Sequence, residues 1–560
     1  MGRWDHRGVL MRRSGYLVIF GALGVAGALG GCFDKGVIAM NGGGAAGAGG
    51  TGGLGGLGGL GGDGGAGGGV GGATSSASTG DEQPCVSCYD GPPLTLGVGE
   101  CKDGCLRDGV CVDQVVPTTE VCAEAMDESC DGEPKCTGKL EWSLKIGEGG
   151  AQYGHDIAFD AAGNLLVAGR FTGNVGFAID QGSTDAFVVK LDPTGARIWG
   201  KAFGGNGSDA CTRLAYTKDG GVIVAGTHDN TLRIDGTPLD NDTGTDDVFV
   251  AKLDANGDLD WMNSISGPAD DTVQGLAVDG EGNIFVAGSF IDRARVFGAN
   301  GLVSDGGEDI FVAKIDAAGN HIWSFNFGNR SEQVALDAAA TPDGGVVLVG
   351  SLAGDMSFGD KPVIPRGYDA FLVKLDRNGV PRIAKSFGDD MAQEFVSVAV
   401  DAQGGIVVAG NTYGTMNIDG STSQHRGGAD AVVAAFDREG KPRWSRQFGN
   451  QEDQKALGVA VDQAGNVIVV GEFARSLDLD SRHLESRGDR DAFLAKFTPD
   501  GATVWAISFG DSMAQSAADV AVGALGVIAL TGDFEGSIDL GGAPLASVGG
   551  ADAFVAKLQP

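Results

Sequence analysis

The run Asp185-Ala-Phe-Val-Val-Lys-Leu-Asp192 decides how this chain is read, because it returns. It stands again as Asp247-Val-Phe-Val-Ala-Lys-Leu-Asp254 and Asp309-Ile-Phe-Val-Ala-Lys-Ile-Asp316, and further copies begin at Asp369, Asp430, Asp491 and Asp552. The intervals are 62, 62, 60, 61, 61 and 61 residues. Self-similarity at a fixed period marks a protein made of stacked copies of one supersecondary unit. Each unit holds a short apolar strand (Asp156–Phe159 in the first), a Gly/Asn/Asp turn, and a second strand at Leu165–Ala168 that ends on Gly169. A variable loop, the Asp-Ala-Phe strand, and a hairpin into a strand carrying Trp fourteen residues after the Asp complete it. The hairpins are chemically explicit, since Asn256-Gly257 and Asn378-Gly379 tolerate positive φ where a tight turn needs it.

Four short strands per unit, with no helical periodicity, leave few architectures. A β-solenoid uses a shorter repeat, whereas about 60 residues in four antiparallel strands make a propeller blade, and seven blades lie within the usual range. Repeated small residues fit this reading. Ala158, Ala215, Ala277, Ala339, Ala399, Ala460 and Ala521 hold one place on the first strand, where innermost strands converge. Gly169, Gly226, Gly288, Gly350, Gly410, Gly471 and Gly532 end the second strand. Trp199, Trp261, Trp323, Trp444 and Trp505, with Ile383 substituting once, are expected to plug the broad outer part of the wedge between blades. The last copy stops before its Trp strand, while Trp142 stands alone ahead of the first unit. Residues 141–146 are therefore expected to pair with Phe554–Leu558 and close the ring, removing two exposed sheet edges. The fold expected over 140–560 is all-β, a seven-bladed propeller of four-stranded antiparallel blades.

Upstream the composition changes three times. Arg3, Arg7, Arg12 and Arg13 precede an apolar run from Tyr16 to Leu29. That run is short for a membrane span of about 20 residues and reads as an export signal. Its ending, Leu29-Gly30-Gly31-Cys32, resembles the bacterial lipobox. The resemblance implies removal of 1–31, acylation of Cys32 as the first mature residue, and, with Phe33 rather than Asp after the Cys, anchoring in the outer membrane of a Gram-negative envelope. A plain secretory signal is the alternative. Residues 32–84 form a Gly/Ser-rich tether: about two-thirds of positions 42–72 are Gly. Such a stretch buries almost nothing and loses maximal entropy on ordering. As a coil of ~50 residues it would reach roughly 40 Å.

Residues 85–139 contain Cys85, Cys88, Cys101, Cys105, Cys111, Cys122, Cys130 and Cys136. An even number of Cys in a small exported segment argues for disulfides, with 105 connectivities open for eight. Cys85 and Cys88 also have zinc-knuckle spacing, but the segment has no His. The stretch from Glu120 to Glu133 resembles the short Cys/Asp metal-binding motif of bacterial surface proteins. That resemblance implies Ca²⁺ as the cation, with Asp127, Glu128, Asp131 and Glu133 as its hard oxygen ligands. A disulfide-stapled acidic loop is the other reading. The tenth Cys, Cys211, has no neighbour in sequence and is expected to be a buried free thiol.

The whole chain has 560 residues, 100 of them Gly, with 74 acidic and 40 basic residues for a formal charge of −34. Gly is more than twice its average of about 7%, without the strict period of collagen. The negative charge excludes a nucleic-acid partner, which needs a basic footprint. Membrane contact is accordingly expected through the lipid anchor alone.

The repeat resembles the bacterial SBBP beta-propeller family. Its Val-Asp-x-x-Gly-Asn-x-x-Val-Ala-Gly turn and strand, as in Val278–Gly288, and the following Asp-Ala-Phe-Val-Ala-Lys-Leu-Asp carry the match. The resemblance implies a surface or secreted propeller and supplies no catalytic residues. A weaker echo of quinoprotein propellers runs from Asp254 through Gly257 to Trp261, without the vicinal Cys pair of many such enzymes.

Binding on a propeller is expected at the loops leading into the innermost strands. Gln152, Asp209, Asp271, Gln333, Gln393, Gln454 and Gln515 occupy one place there, and Asp156, Arg213, Gly275, Asp337, Ser397, Gly458 and Asp519 stand four places on. Together they suggest a polar, mildly acidic collar at the channel mouth, for a cation, sugar or peptide. Amides capping backbone at the blade tops are the alternative. Asp240 and Asp242 lie in a loop with alternating oxygen ligands like those of a Ca²⁺ site, without its bidentate Glu. Among the five His after residue 32, only His155 falls beside the predicted mouth, and the repeated Asp of the Asp-Ala-Phe strands read as turn caps. Lys190, Lys252, Lys314, Lys374, Lys496 and Lys557 are expected to meet carboxylates between blades. No nucleophile–base or phosphate-loop pattern stands out. The expected function is a surface-anchored, monomeric, non-enzymatic propeller for protein or glycan partners, needing no cofactor beyond Ca²⁺. The alternative is a polysaccharide hydrolase or lyase, or a quinoprotein-like enzyme.

Overall fold

In the computed structural model, residues 138–560 are described except 242–244, 300, 419 and 421–424, together with three short strands upstream. Those strands, Ser87–Cys88, Gly104–Arg107 and Val110–Val112, form one antiparallel sheet. Cys32, the tether, Cys85, Cys101, Cys122, Cys130, Cys136, Asp127, Glu128, Asp131, Glu133 and Asp242 lie outside the described residues, as do the side chains of Cys88, Cys105 and Cys111. Among the described residues no helix is long and apolar enough to cross a membrane.

The repeat folds into seven four-stranded antiparallel blades in a ring. Blade 1 runs from its inner strand, Gln152–Phe159, through Leu165–Phe171 and Asp185–Leu191 to its outer strand, Arg197–Phe203. Blades 2 to 6 repeat this order with inner strands at Asp209–Tyr216, Asp271–Val278, Gln333–Ala340, Gln393–Val400 and Gln454–Val461. Blade 7 takes Gln515–Val522, Ile528–Phe534 and Asp552–Leu558 from the C-terminal end and Leu140–Ile146 from the other side of the ring. Ser143 faces Ala556, Leu144 faces Val555, and Lys145 reaches Asp552 at 2.9 Å. The closure expected from the stranded Trp142 is therefore present.

Every inner strand carries a β-bulge against its second strand, at His155, Thr212, Gln274, Leu336, Val396, Leu457 and Ala518. The bulge explains the repeated glycine. A Cβ on Gly169, Gly288 or Gly350 would lie about 2 Å from the inner-strand carbonyl of Tyr153, Thr272 or Val334, and under 3 Å from the Phe ring of the third strand. The second strands do not end there, as the sequence suggested. They continue two residues, to Phe171 in blade 1, because the bulge takes up the crowding without breaking the ladder.

The hydrophobic core consists of seven clusters, each shared by two adjoining blades. The loop between second and third strands varies in sequence from blade to blade. In five blades it contains a two-stranded hairpin, such as Met356–Phe358 with Lys361–Val363. Alternate residues of these inserts, Leu232 and Ile234 or Met356 and Phe358, are buried in the interblade clusters. They share the wedge with the Trp side chains, of which Trp444 and Trp505 are buried in these clusters and Trp199, Trp261 and Trp323 pack against them, as expected. The Trp side chains act in addition as latches. Trp142, Trp199, Trp261, Trp323 and Trp444 donate their indole N–H to a carbonyl in the last hairpin of the next blade, at 2.9–3.2 Å.

The repeated lysines also differ from expectation. Lys190 meets Asp160 at 3.0 Å, Lys314 meets Asp279 at 3.0 Å, and Lys496 meets Asp462 at 3.4 Å, each pair within one blade. The carboxylate is the turn residue of the inner hairpin, so the ion pair ties that turn to the third strand.

Two outcomes follow for stability. Deleting residues 140–147 exposes the edge at Asp552–Leu558 and should open the ring, seen as a lower melting temperature and aggregation in light scattering; unchanged values contradict it. Gly350→Ala forces backbone apart and should lower stability by about 2–3 kcal/mol in chemical denaturation. Gly280→Ala, where nothing lies within 4 Å of the new Cβ, should be nearly neutral.

Candidate binding site at the channel mouth

The first Gln/Asp set begins the inner strands, as predicted, but does not face the channel. Gln152, Asp209, Asp271, Gln333, Gln393, Gln454 and Gln515 are all at most 1% exposed. Their bonds go to the adjoining loops: Gln333 accepts from Asn329 N at 2.9 Å and donates to Ala353 O at 2.8 Å, and Gln515 donates to Glu535 O at 3.0 Å. Asp209 accepts from Gly205 N at 2.9 Å. Except at Asp271, whose carboxyl oxygens make no hydrogen bond, these are caps on the loops that enter each blade. The repeated Asp of the third strand caps the preceding loop likewise, as Asp309 does for Asp305 N at 3.0 Å.

The second set lies one residue past each bulge, four residues deeper, or about 13 Å along the strand. A bulge leaves a main-chain N–H out of the ladder, and the preceding blade supplies its acceptor. Asp519 Oδ2 accepts from Ile157 N at 3.1 Å, Asp156 Oδ2 from Leu214 N at 2.8 Å, Asp337 Oδ2 from Val398 N at 2.8 Å, and Ser397 Oγ from Val459 N at 3.2 Å. Arg213 instead passes blade 3, where the equivalent residue is Gly275, and donates to Leu336 O of blade 4 at 3.1 Å. Burial pushes Asp337 up to about 6, partly offset by Arg213. Burial raises Asp156 and Asp519 too, and these two carboxyls share a hydrogen bond. His155 is held neutral, pushed down to about 3 by burial and Arg170, with Nδ1 at 3.0 Å from Cys211 O. Cys211 is a fully buried free thiol, as expected.

The two sets thus form no common collar. The polar rim is built by residues that sequence reading passed over: the place after each Gln/Asp and the place after each repeated Gly, where unlike residues pair across the inner two strands. Tyr153 faces Arg170, Glu394 faces Asn411, Lys455 faces Glu472, and Ser516 faces Asp533. Arg170 lies over the Tyr153 ring, 4.9 Å from its centroid. Asn411 Nδ2 donates to Glu394 Oε1 at 3.1 Å, and Glu472 meets Arg490 at 3.3 Å and Lys455 at 3.7 Å. Burial pushes Asp533 up to about 7, against the lowering pull of Arg490 and Arg170. Tyr413 is pushed up to about 12 by burial and the field of Glu394. Blades 5, 6, 7 and 1 therefore present carboxylates, cations and aromatic rings along one arc, with the buried Asn411 amide fixing Glu394. Their signal in the sequence was variation: these places change chemistry from blade to blade while their neighbours stay constant.

Of the loop read as a cation site, Asp240 is described and accepts from Thr231 Oγ1 at 3.0 Å. Among the described residues no three His, Cys, Asp or Glu side chains gather as a metal cage.

Comparison with known proteins agrees with the repeat reading. The SBBP beta-propeller repeat model matches residues 261–289, which run from the outer strand of blade 2 to the second strand of blade 3. The regulatory protein FlaEY of Caulobacter vibrioides is 26% identical over 343 residues, covering 56% of this chain and 35% of that protein. The chain thus spans about a third of the length of this relative. Among solved structures, Sqt1 from Chaetomium thermophilum covers 76% of the chain and 99% of its own length, at 10% identity and a TM-score of 0.39. XC5397 of Xanthomonas campestris, a gluconolactonase, covers 75% and 91%, at 13% identity and a TM-score of 0.31. The chain is a seven-bladed β-propeller whose repeat is similar to the SBBP beta-propeller repeat.

Proposed function

We propose that this propeller is a non-enzymatic binding module held at the outer membrane by a lipid on Cys32, and that its channel mouth receives a glycan. The observation that carries the glycan reading is the arc of Tyr153, Arg170, Glu394, Lys455, Glu472 and Asp533. Carboxylates and cationic side chains accept and donate the paired hydrogen bonds that sugar hydroxyls make, and aromatic rings offer a face to a sugar ring. The deeper carboxylates Asp156, Asp337 and Asp519 accept bonds from a neighbouring blade's backbone and so serve the ring rather than the ligand. The anchor rests on the lipobox-like residues 29–32. A second reading, glycoside hydrolysis or lysis, is favoured by the Asp533 carboxyl, whose position near neutrality suits a general acid.

A glycan array probed with the full chain should give hits that Glu472→Gln with Asp533→Asn weakens tenfold or more while the melting temperature holds. Asp533 keeps its proton below about pH 7. Binding that uses its carboxylate should therefore weaken as pH falls from 8 to 6, and Asp533→Asn should flatten that dependence. Release of shortened or unsaturated sugar from the bound glycan, lost in Asp533→Asn, would replace the binding reading with the enzymatic one. Cys32→Ser should move the protein from the membrane to the soluble fraction; unchanged fractionation contradicts the anchor.

A further inference from the structure

The seven interfaces between blades serve as controls for one another, and two of them, leading into blades 2 and 3, depart from the rest. In blades 4 to 7 the residue four places before the inner-strand Gln is Asn329, Asp389, Asn450 or Asp511. Its main-chain N–H caps the Gln Oε1 at 2.8–3.2 Å. In three of these blades its side-chain oxygen also takes the Gln Nε2 at 2.8–2.9 Å. In blades 2 and 3 the Gln is replaced by Asp209 or Asp271 and the upstream residue by Gly205 or Gly267, and in blade 2 Gly205 N still caps Asp209 Oδ2 at 2.9 Å. Gly267 N turns to Asp247 Oδ1 of blade 2, at 3.4 Å.

Asp271 is consequently 0% exposed with neither carboxyl oxygen hydrogen-bonded. Both substitutions also remove atoms, a methylene from the Gln position and a whole side chain from the upstream one. The position they leave is lined closely by oxygen. A Cβ on Gly267 would stand 3.3 Å from Asp271 Oδ2 and closer still to the Arg293 carbonyl oxygen. Asp246 and Asp270 add charge alongside, with Asp270 Oδ1 accepting from Asp246 N at 3.1 Å. A buried carboxylate without donors is costly unless a cation or a proton neutralises it.

We propose that this oxygen-lined seam between blades 2 and 3 binds a divalent cation of the Ca²⁺ class, with Asp271 and Asp247 as anionic ligands and the Arg293 carbonyl oxygen and water completing the shell. All the donors are hard oxygens, which suit Ca²⁺ rather than a thiolate- or imidazole-seeking metal. A shell with two carboxylates places the affinity in the range of extracellular modules, a Kd of about 10⁻⁴–10⁻³ M. The site is independent of the channel mouth and of what binds there.

The test uses the full chain, stripped with EDTA and titrated with CaCl₂ at pH 7.5 by calorimetry and by thermal melting. CaCl₂ should raise the melting temperature. Asp271→Gln, which installs the residue found in five other blades, should fold and weaken the titrated site tenfold or more. Asp247→Asn should act in the same direction, and Asp240→Asn should leave the site intact. The proposal is overturned if Asp271→Gln and Asp247→Asn respond to CaCl₂ like the parent chain. It is equally overturned if the parent ignores CaCl₂ and MgCl₂ and is stabilised only by lowering the pH from 8 to 6, the behaviour of a proton held on Asp271.

Discussion

The inner-strand bulge is the constraint on which the rest of the ring depends. One extra residue per blade breaks the regular ladder at the same depth seven times. It pushes a carbonyl into the space a side chain would need on the second strand, and only Gly fits there. It also leaves an N–H for the preceding blade to capture. The residues that capture it, Asp156, Asp337, Ser397 and Asp519, look like an active-site ring when written as a list. In three dimensions they are stitches between neighbouring blades.

That dependence explains what the sequence disclosed and what it hid. Blade number, strand order and ring closure were legible because they rest on period and on turn chemistry, which are local. Trp142 standing without a partner was enough to predict which strand closes blade 7. The buried Gln set was legible as repeated and polar, but one residue's difference in register separates a loop cap from a rim side chain. Gln152 and Tyr153 are adjacent in sequence, yet the first is fully buried and the second only partly. The interblade hairpins stayed hidden because their two to four residues per strand are too short to show alternation, and because they differ from blade to blade.

Repetition also separates the conserved physics of the ring from the particular chemistry of each blade. The buried Asp of the third strand recurs in every blade and the lysine–turn pair in five, because the blades share one packing problem. Tyr153, Glu394, Lys455 and Ser516 share one place and have nothing else in common, as do Arg170, Asn411, Glu472 and Asp533. A ring of equal scaffolds has thereby acquired a sided rim, charged across blades 5, 6, 7 and 1. The same logic makes an irregular interface informative, since Asp271 departs from a pattern that five other blades keep.

Closure of blade 7 by Leu140–Ile146 has a mechanical consequence. All of the chain upstream joins the ring through this strand. Tension arriving from that side is borne first by its ladder with Asp552–Leu558, by the Lys145–Asp552 ion pair and by the Trp142 latch to blade 1. The clasp that completes the ring is therefore also the point at which any load on the upstream chain would enter it.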